Sequence, residues 1–209
     1  MQVDHYWFNG RAGTPEQQAA KIVGTYDGVK IEADEDLWWD VEDEGSLTHW
    51  TPAEVVTYAK ALAAKGIPIE RQGVYLSSSV TRQQDWSPVV DLGLRLWVAD
   101  YGTNDGNISS KPLVGYWDTV TYFQYTSTGH LPGYEGNLDL NVDGKIVWTV
   151  HDLQAALNKL YNLGLDEDGD FGPATKAGVI RFQQDNKLVV DGDPGWNTLT
   201  ALEKRLGLS

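Results

Sequence analysis

Two acidic residues, Asp40 and Glu42, are the part of this sequence best suited to catalysis. Both lie in a predicted strand, residues 36–42, and because side chains of a strand alternate, the two carboxylates leave the same face. Neighbouring carboxylates repel each other, so that one keeps its proton to a higher pH and can act as a general acid near neutrality. The same spacing is also common in solvated acidic strand ends, which here would continue through Asp43 and Glu44.

The elements that would position these carboxylates alternate in type along the chain. Strand-like runs and helical runs follow one another to about residue 145, as is typical of βα units and a parallel sheet. The strand candidates cover residues 36–42, 72–77, 94–99, 120–125 and 138–140. Because α/β barrels keep their active sites at the carboxyl ends of parallel strands, the end of 36–42 is a suitable place for catalysis.

Two helices are predicted from their first residues. Each begins with Thr-Pro and has Gln or Glu three residues after the threonine: Thr14 with Gln17, and Thr51 with Glu54. A threonine N-cap, a proline in the first turn and a Gln or Glu at the third helical position satisfy the free N–H groups of a helix start. The second helix is expected to run to about Lys65, before a glycine and a proline.

A different pattern begins after about residue 147. Apolar residues recur there at helical spacing, and the run 168–175 is repeated as 191–198. In each copy Asp-Gly favours a tight turn, and Gly-x-x-Thr leads into a helix. The sequence therefore predicts an α/β domain at residues 1–145 and a small domain of three short helices, joined by two similar turns, at residues 146–209.

The composition argues against several classes of ligand. The chain of 209 residues has 16 Lys+Arg against 30 Asp+Glu, a net charge of −14, and no cysteine. A nucleic acid is not expected, because binding its phosphates requires a basic face, and disulfides and thiolate metal sites are excluded. No apolar run is long enough to predict a membrane span. The nine Trp and ten Tyr would suit carbohydrate binding, although most aromatic side chains belong to protein cores.

One acidic turn has part of the spacing of a calcium site. Asp166, Asp168 and Asp170 alternate as in a calcium loop, but the run lacks the glycine and the distal glutamate of an EF-hand. A solvated acidic turn is therefore expected, and neither a metal nor a cofactor is predicted.

The C-terminal domain resembles the peptidoglycan-binding module appended to many cell-wall hydrolases. The resemblance rests on the Asp-Gly-x-Phe-Gly-x-x-Thr turn at 168–175, on Arg-Phe-Gln at 181–183 and on Val-Asp-Gly at 190–192. It implies ligand contacts from residues of the two turns, namely Asp168, Phe171, Thr175, Asp191 and Trp196. Most of these motif residues would equally serve to build the turns and the core.

The N-terminal domain resembles the glycoside hydrolase family 25 lysozymes, many of which are phage endolysins. Five motifs in the family's order carry the resemblance, at residues 37–43, 73–77, 96–101, 123–127 and 136–141. It implies a TIM-like (β/α) barrel that cleaves the glycosidic bond between N-acetylmuramic acid and N-acetylglucosamine. Such cleavage needs a protonated carboxyl at the leaving oxygen and negative charge near the developing oxocarbenium ion.

The resemblance also implies roles for individual residues. Glu42 would be the general acid, Asp40 its acidic partner and Asp139 a further acidic residue of the site. A second group would line the sugar groove: His5, Tyr6, Tyr75, Trp97, Tyr101, Gln124 and Tyr125. Trp38 and Trp39 are assigned to the barrel core, with at least one facing away from the groove.

The start of the chain departs from the family pattern. Members begin with a further stretch that holds the first two βα units and an early catalytic aspartate in a Gly-x-Asp-x-Ser strand, whereas here residues 3–7 align with the third strand. An incomplete or rearranged barrel is therefore expected. The chain would be an internally initiated or split-gene product, would pair with a second copy or a separate N-terminal chain, or would re-close its remaining strands. Asp4, in the family's tyrosine position, is a candidate substitute for the absent aspartate.

Two functions follow from these observations. The first is an endolysin with a muramidase-like domain and a wall-binding module, acting on bacterial peptidoglycan with retention through either a protein nucleophile or the substrate's acetamido group. The second is a catalytically inactive wall-binding subunit or regulator of an intact endolysin. Because residues 1–5 show no secretory signal, the protein is expected in the cytoplasm of the producing cell until another protein's membrane pore releases it to the wall.

Overall fold

The computed structural model describes residues 4–8, 13–25, 35–41, 50–144 and 147–208. Glu42 lies outside these residues. The described strands are β1 (His5–Phe8), β2 (Leu37–Asp40), β3 (Gln72–Ser77), β4 (Arg95–Ala99), β5 (Leu113–Val114), β6 (Tyr122–Gly129), β7 (Leu138–Asp143) and β8 (Trp148–Thr149). The described α-helices are α1 (Pro15–Thr25), α2 (Pro52–Ala63), α3 (Ser87–Asp91), α4 (Val150–Tyr161), α5 (Pro173–Asp185) and α6 (Trp196–Leu206).

Both predicted helix starts are confirmed. Ahead of α1, the Gln17 N–H donates to Thr14 Oγ1 at 3.3 Å, and the Thr14 N–H donates to Gln17 Oε1 at 2.9 Å. Ahead of α2, Thr51 and Glu54 form the same reciprocal pair at 3.3 and 2.8 Å. Each pair satisfies two of the N–H groups that a helix start leaves without a partner.

The chain forms two compact units. The first consists of residues 1–76 and 84–97, and the second of residues 77–83 and 98–209. The predicted division at residue 145 rests on sequence patterns and stays a prediction.

The first unit contains a parallel sheet with helices on one face. Strands β1, β2 and β3 are parallel neighbours, with Tyr6 opposite Trp38 and Trp38 opposite Gly73. Residues that lie opposite each other in a sheet point to the same side, so these three share one face. On the other face, the fully buried Trp39 packs edge-on against Tyr58 of α2, with ring centroids 4.5 Å apart. Helix α2 in turn packs against α1 and α3.

The second unit departs from the predicted parallel sheet. Strands β6 and β7 are antiparallel, with Tyr122 opposite Asp143. The connection between them, residues 130–137, is shorter than the dozen or so residues that a crossover between parallel strands needs. A hairpin is therefore the arrangement that this connection permits, and the expectation of a parallel sheet holds for β1–β3 but not here.

The end of the second unit is the predicted three-helix module. Helices α4, α5 and α6 enclose a core that includes Leu153, Leu157, Val179, Phe182, Leu199 and Leu202. Strand β8, directly before α4, pairs in parallel with β5, Leu113 lying opposite Trp148. The expectation of three short helices joined by two similar turns is confirmed. None of the helices in the described part of the chain is long and apolar enough to cross a membrane.

Candidate active site

Of the predicted acidic pair, the structure describes Asp40, whose buried carboxylate lies at the end of β2. Asp40 is 6% exposed and accepts a hydrogen bond from the Tyr6 hydroxyl, 2.7 Å from Oδ2. Tyr6 itself is 47% exposed. The phenol therefore links a buried acidic group to a surface that a ligand can reach.

The Tyr6 ring belongs to a group of three aromatic rings. Tyr6, Tyr75 and Trp97 contact one another edge to face, with centroid separations of 6.0 Å (Tyr6 to Tyr75), 5.8 Å (Tyr6 to Trp97) and 5.5 Å (Tyr75 to Trp97). We call these residues the three-ring cluster. They come from β1, β3 and its neighbour β4, so the sheet brings together side chains that are far apart in sequence. Aromatic faces beside a carboxylate suit a sugar ligand.

Trp38 supports the three-ring cluster. Its ring lies edge-on to Trp97 with centroids 6.0 Å apart, and its indole N–H donates to Asp4 Oδ2 at 3.2 Å. The ring occupies the space beside Gly73, where an added Cβ would lie 2.2 Å from the indole. The Arg95 guanidinium lies 5.0 Å from the Trp38 ring. Glycine on β3 is thus what allows an indole to fill this face of the sheet.

The sequence makes Asp4 a candidate for the absent catalytic aspartate. Besides the Trp38 indole, its carboxylate accepts a hydrogen bond from the Asp36 N–H at 3.4 Å. Both contacts hold β1 to β2. They give Asp4 a positioning role, and its catalytic role stays a prediction.

Two predicted residues of the first unit lie on the other face of the sheet from Tyr6. Trp39 packs on α2, as expected of at least one of the tryptophan pair. His5, adjacent to Tyr6 in β1, places Nε2 2.9 Å from Glu35 Oε2. Strand alternation therefore separates His5 from the three-ring cluster, and its sugar-binding role is untested.

The remaining predicted groove residues lie in the second unit. The Tyr101 hydroxyl donates to Oε1 of the buried Gln124 at 2.9 Å. Tyr125 contacts Phe123 edge-on, with centroids 6.4 Å apart, and Asp139 is exposed on β7. The hydrogen bond fixes one predicted pair, whereas the roles of Tyr125 and Asp139 rest on the sequence motifs.

Sequence reasoning missed two residues that organise the loop after β4. The Asp100 carboxylate accepts a hydrogen bond from the Ser78 hydroxyl at 2.6 Å, and the Asn104 side-chain oxygen accepts from Thr126 Oγ1 and the Ser127 N–H at 2.8 and 2.9 Å. The signal for Asp100 was present, because an acidic residue directly followed a strand. Asn104 has a positive φ of 51°, which asparagine tolerates better than most residues, but its sequence neighbours gave no sign of this.

Each turn of the module is built around a buried glutamine. The Gln154 amide donates to Asp168 Oδ1, the Asp170 carbonyl and Thr175 Oγ1 at 2.8, 3.0 and 3.2 Å, and its oxygen accepts from the Gly169 N–H at 3.0 Å. In the second copy Gln183 contacts the corresponding atoms, and its four donor–acceptor distances agree with those of Gln154 to within 0.1 Å. Its partners are Asp191 (2.8 Å), Asp193 (3.0 Å), Thr198 (3.2 Å) and Gly192 (2.9 Å).

These networks engage three of the five predicted module residues. Burial alone would raise the pKa of Asp168, but hydrogen bonds from the Gln154 amide and the Asp170 N–H outweigh it and lower the pKa. Hydrogen bonds from the Asp193 N–H and the Gln183 amide likewise lower the pKa of Asp191. Asp168, Thr175 and Asp191 thus hold the turns together, and ligand contact by them is untested.

The other two predicted module residues contact the part of the second unit that precedes the module. The Arg82 guanidinium lies 5.6 Å from the Phe171 ring, and Lys111 Nζ lies 5.3 Å from the Trp196 ring. The first turn is also joined to Tyr116, whose N–H donates to the Gly169 carbonyl at 3.1 Å. Together with the β5–β8 pairing, these contacts fix the module against residues 77–83 and 111–116.

Comparison with known proteins identifies the class to which this fold and site belong. Residues 1–134 match the model for glycosyl hydrolases family 25, and residues 149–202 match that for a putative peptidoglycan-binding domain. The first match spans more than half of the chain. The chain therefore belongs to glycosyl hydrolases family 25 and carries a C-terminal module of the peptidoglycan-binding type.

Individual relatives agree with this assignment. An autolytic lysozyme of Clostridium acetobutylicum is 30% identical over 210 residues, which cover 93% of this chain and 60% of the relative. The catalytic domain of endolysin ply40 from bacteriophage P40 of Listeria monocytogenes is 22% identical, with a TM-score of 0.51 over 70% of this chain and 69% of that one. The CTP1L endolysin is 19% identical, with a TM-score of 0.52 over 68% of this chain and 46% of that one. The two structures show a likeness of fold.

Proposed function

We propose that this protein is a peptidoglycan hydrolase of the lysozyme type, in which Glu42 protonates the glycosidic oxygen between N-acetylmuramic acid and N-acetylglucosamine. The observation that carries the proposal is the buried Asp40 carboxylate, bonded to Tyr6 and bordered by the three-ring cluster, in a member of family 25. The autolytic lysozyme over which 93% of the chain aligns supports the same reaction class.

The chemistry assigns separate tasks to the acidic residues. The general acid delivers a proton to the leaving oxygen, while negative charge stabilises the oxocarbenium-like transition state. Asp40 supplies that charge, and the Tyr6 hydrogen bond fixes the orientation of its carboxylate. The exposed ring of Tyr6 holds the sugar by stacking, with Tyr75 and Trp97 packed against it, and Asp139 is the further acidic residue.

Clearance of purified cell walls tests the proposal. Glu42→Gln keeps the shape of the side chain but removes the acid, so the rate of turbidity loss should fall by about 10²- to 10⁴-fold. Glu70→Gln, at an exposed glutamate outside the site, is the matched control and should clear walls like the unmodified protein. Equal rates for both variants would contradict the assignment of Glu42.

The bond that is cut can be read from the products. After borohydride reduction of the released fragments, the proposal expects reduced muramic acid at the new ends. Reduced glucosamine there would assign cleavage to the other glycosidic bond. The configuration of the first-formed anomer, followed by NMR, shows whether the reaction proceeds with retention.

A second candidate function is a wall-binding subunit without activity of its own. The observation that favours it is the module, whose two turns are complete and whose family match covers residues 149–202. Pelleting of the protein with walls that it does not clear would support this function. If adding a second protein chain restored clearance of the walls, the active form would be a complex. If the purified protein cleared walls alone, no second chain would be required.

A further inference from the structure

A cleft in the second unit combines two tryptophans with an ion pair. It has a volume of about 420 Å³, within the range of about 300–1,000 Å³ of small-ligand sites. Its walls come from three segments, the loop before β5, the start of β8 and helix α6, and include Ile108, Lys111, Val147, Trp148, Trp196 and Glu203. We call it the tryptophan cleft. Of the turn residues predicted to bind the wall, only Trp196 is in this lining.

The polar groups of the tryptophan cleft are arranged around Glu203. Lys111 forms an ion pair with it, and the Trp148 indole N–H donates to Oε1 at 3.1 Å. Burial opposes ionisation of this carboxyl, but the hydrogen bonds from Lys111 and Trp148 outweigh it and lower the pKa of Glu203. The carboxylate is therefore charged at neutral pH, and its charge cancels that of Lys111.

The aromatic groups remain accessible. Trp196 is 41% exposed, although Lys111 Nζ lies only 5.3 Å from its ring. A neighbouring cleft of about 370 Å³ shares Val147, Trp148 and Glu203 with the first and extends along α4 and α6. The second cleft adds apolar residues of α4 and α6 to the lining, together with Asp152 and Lys159.

The charge pattern selects the kind of ligand. The paired Lys111 and Glu203 leave no net charge to attract an ion, and the chain's net charge of −14 repels anionic polymers such as teichoic acids. Indole faces and paired polar groups suit an uncharged ring that has apolar C–H faces and polar edges. Among wall components, the N-acetylated sugars of the glycan have this chemistry.

We propose that the tryptophan cleft binds an uncharged N-acetylated sugar of the wall glycan, with Trp196 stacking on the ring and the Lys111–Glu203 pair bonding its hydroxyl or acetamido groups. The site is shared, because Lys111 and Ile108 precede the module while Trp148, Trp196 and Glu203 belong to it. The choice of a wall sugar rests on the proposed function.

Wall binding and sugar binding test the site directly. The full chain is pelleted with purified peptidoglycan stripped of teichoic acid, and titrated with a soluble N-acetylglucosamine tetramer while the indole N–H signals are followed by NMR. Trp196→Ala should weaken pelleting about tenfold, a loss of about 1.4 kcal/mol, whereas Trp196→Phe should retain most of the binding. Val189→Ala removes a 76% exposed side chain of the same module and should bind normally.

The outcomes separate this proposal from the proposed hydrolysis. Clearance of walls is measured with Glu42→Gln, while the tryptophan cleft is assessed by binding alone, so a chain without lytic activity can still show a functional cleft. Pelleting by Trp196→Ala within twofold of the unmodified protein, with unfolding midpoints confirming that both are folded, would overturn the proposal. So would salt-sensitive binding to teichoic acid with no response of the indole signals to the tetramer.

Discussion

At the scale of single residues, the Tyr6 hydroxyl is the contact with the most direct consequence for catalysis. It donates to the buried Asp40 carboxylate at 2.7 Å, while its ring packs against Tyr75 and Trp97. Tyr6→Phe removes the donor and keeps the ring. We expect wall clearance to fall about tenfold, since a hydrogen bond to a charged group contributes about 1.5–3 kcal/mol, with near-UV circular dichroism unchanged.

The control for this change is Tyr134→Phe, which removes a hydroxyl from a tyrosine that is 55% exposed. Full activity of Tyr6→Phe would show that the orientation of Asp40 does not depend on the phenol. A lost near-UV signal would instead assign Tyr6 to packing.

At the residue level, the motifs named Asp40, Tyr75 and Trp97 from the sequence. The structure places the Tyr75 and Trp97 rings in contact and the Tyr6 hydroxyl on Asp40, while the roles of these residues stay predictions. His5 was named because residues 3–7 align with the family's third strand, but the alternation of side chains along β1 turns His5 to the face opposite Tyr6, where it contacts Glu35. The partner of Asp40 was beyond sequence reasoning, because the Tyr6 contact joins residues 34 positions apart.

At the scale of elements, the paired glutamines explain why the module repeats. Gln154 and Gln183 are 2% and 1% exposed, and each holds one turn through four hydrogen bonds. Gln154→Leu and Gln183→Leu should each destabilise the protein by about 1–3 kcal/mol, because buried turn groups lose their partners. Denaturant unfolding measures the loss. Gln184→Leu, at an exposed neighbouring position, is the control, and a loss equal to that of the control would contradict the role of the amides.

The same turns predict a dependence of stability on pH. The pKa values of Asp168 and Asp191 are lowered in the folded protein from the ordinary value of 3.8. The unfolded chain therefore binds protons first as the pH falls. Their contribution is complete well above pH 3.8 and is lost as the pH falls below that value towards the folded-state pKa.

Thermal unfolding between pH 5 and pH 2.5 measures this effect. Asp191→Asn should lower the midpoint at pH 5 and flatten its decline at lower pH. Asp166→Asn makes the same change of charge at an exposed residue near the first turn and should leave the slope as it was. Parallel curves for Asp191→Asn and the unmodified chain would contradict the prediction.

Elements with strong local signals were predictable, and those that depend on tertiary pairing were not. The Thr-Pro starts at Thr14 and Thr51, the run 72–77 and the three helices of the module were all anticipated. The antiparallel β6–β7 pair was missed, because the predicted strands 120–125 and 138–140 leave twelve residues between them, which is long enough for a crossover between parallel strands. The strands β5 and β8 have two residues each, which is too short for a recognisable sequence pattern, and they are defined by their pairing with each other.

At the scale of the second unit as a whole, two equivalent glycines differ in their surroundings, and the difference shows which turn of the module packs against the preceding residues. Gly169 and Gly192 occupy the same turn position with φ of 76° and 73°. An added Cβ on Gly169 would lie 3.1 Å from the Tyr116 backbone, whereas on Gly192 it would meet the end of the Lys176 side chain at 2.7 Å. A lysine side chain can move aside, whereas the Tyr116 backbone is tied to the turn by its own hydrogen bond to the Gly169 carbonyl.

Gly169→Ala and Gly192→Ala should therefore differ. Both substitutions should lower the free energy of unfolding by about 1 kcal/mol or more, because alanine is strained in the left-handed backbone conformation. Gly169→Ala should additionally weaken the Tyr116 contact. Hydrogen exchange at the Tyr116 amide, which donates to the Gly169 carbonyl, should quicken in Gly169→Ala only. Equal exchange rates in the two variants would show that the module is not held through its first turn.

The pairing of β5 with β8 bears on how this protein can be recombined with others. A chimaera joined at residue 146 would separate Leu113 from Trp148 and Lys111 from Glu203. Strand β5 would then lose its hydrogen-bonding partner, and the Glu203 carboxylate would lose the cation that neutralises it. A transplant of the module that begins at residue 108 would carry both halves of each contact. A segment that keeps these contacts is therefore longer than the module of residues 146–209, and it brings β5 into the recipient protein.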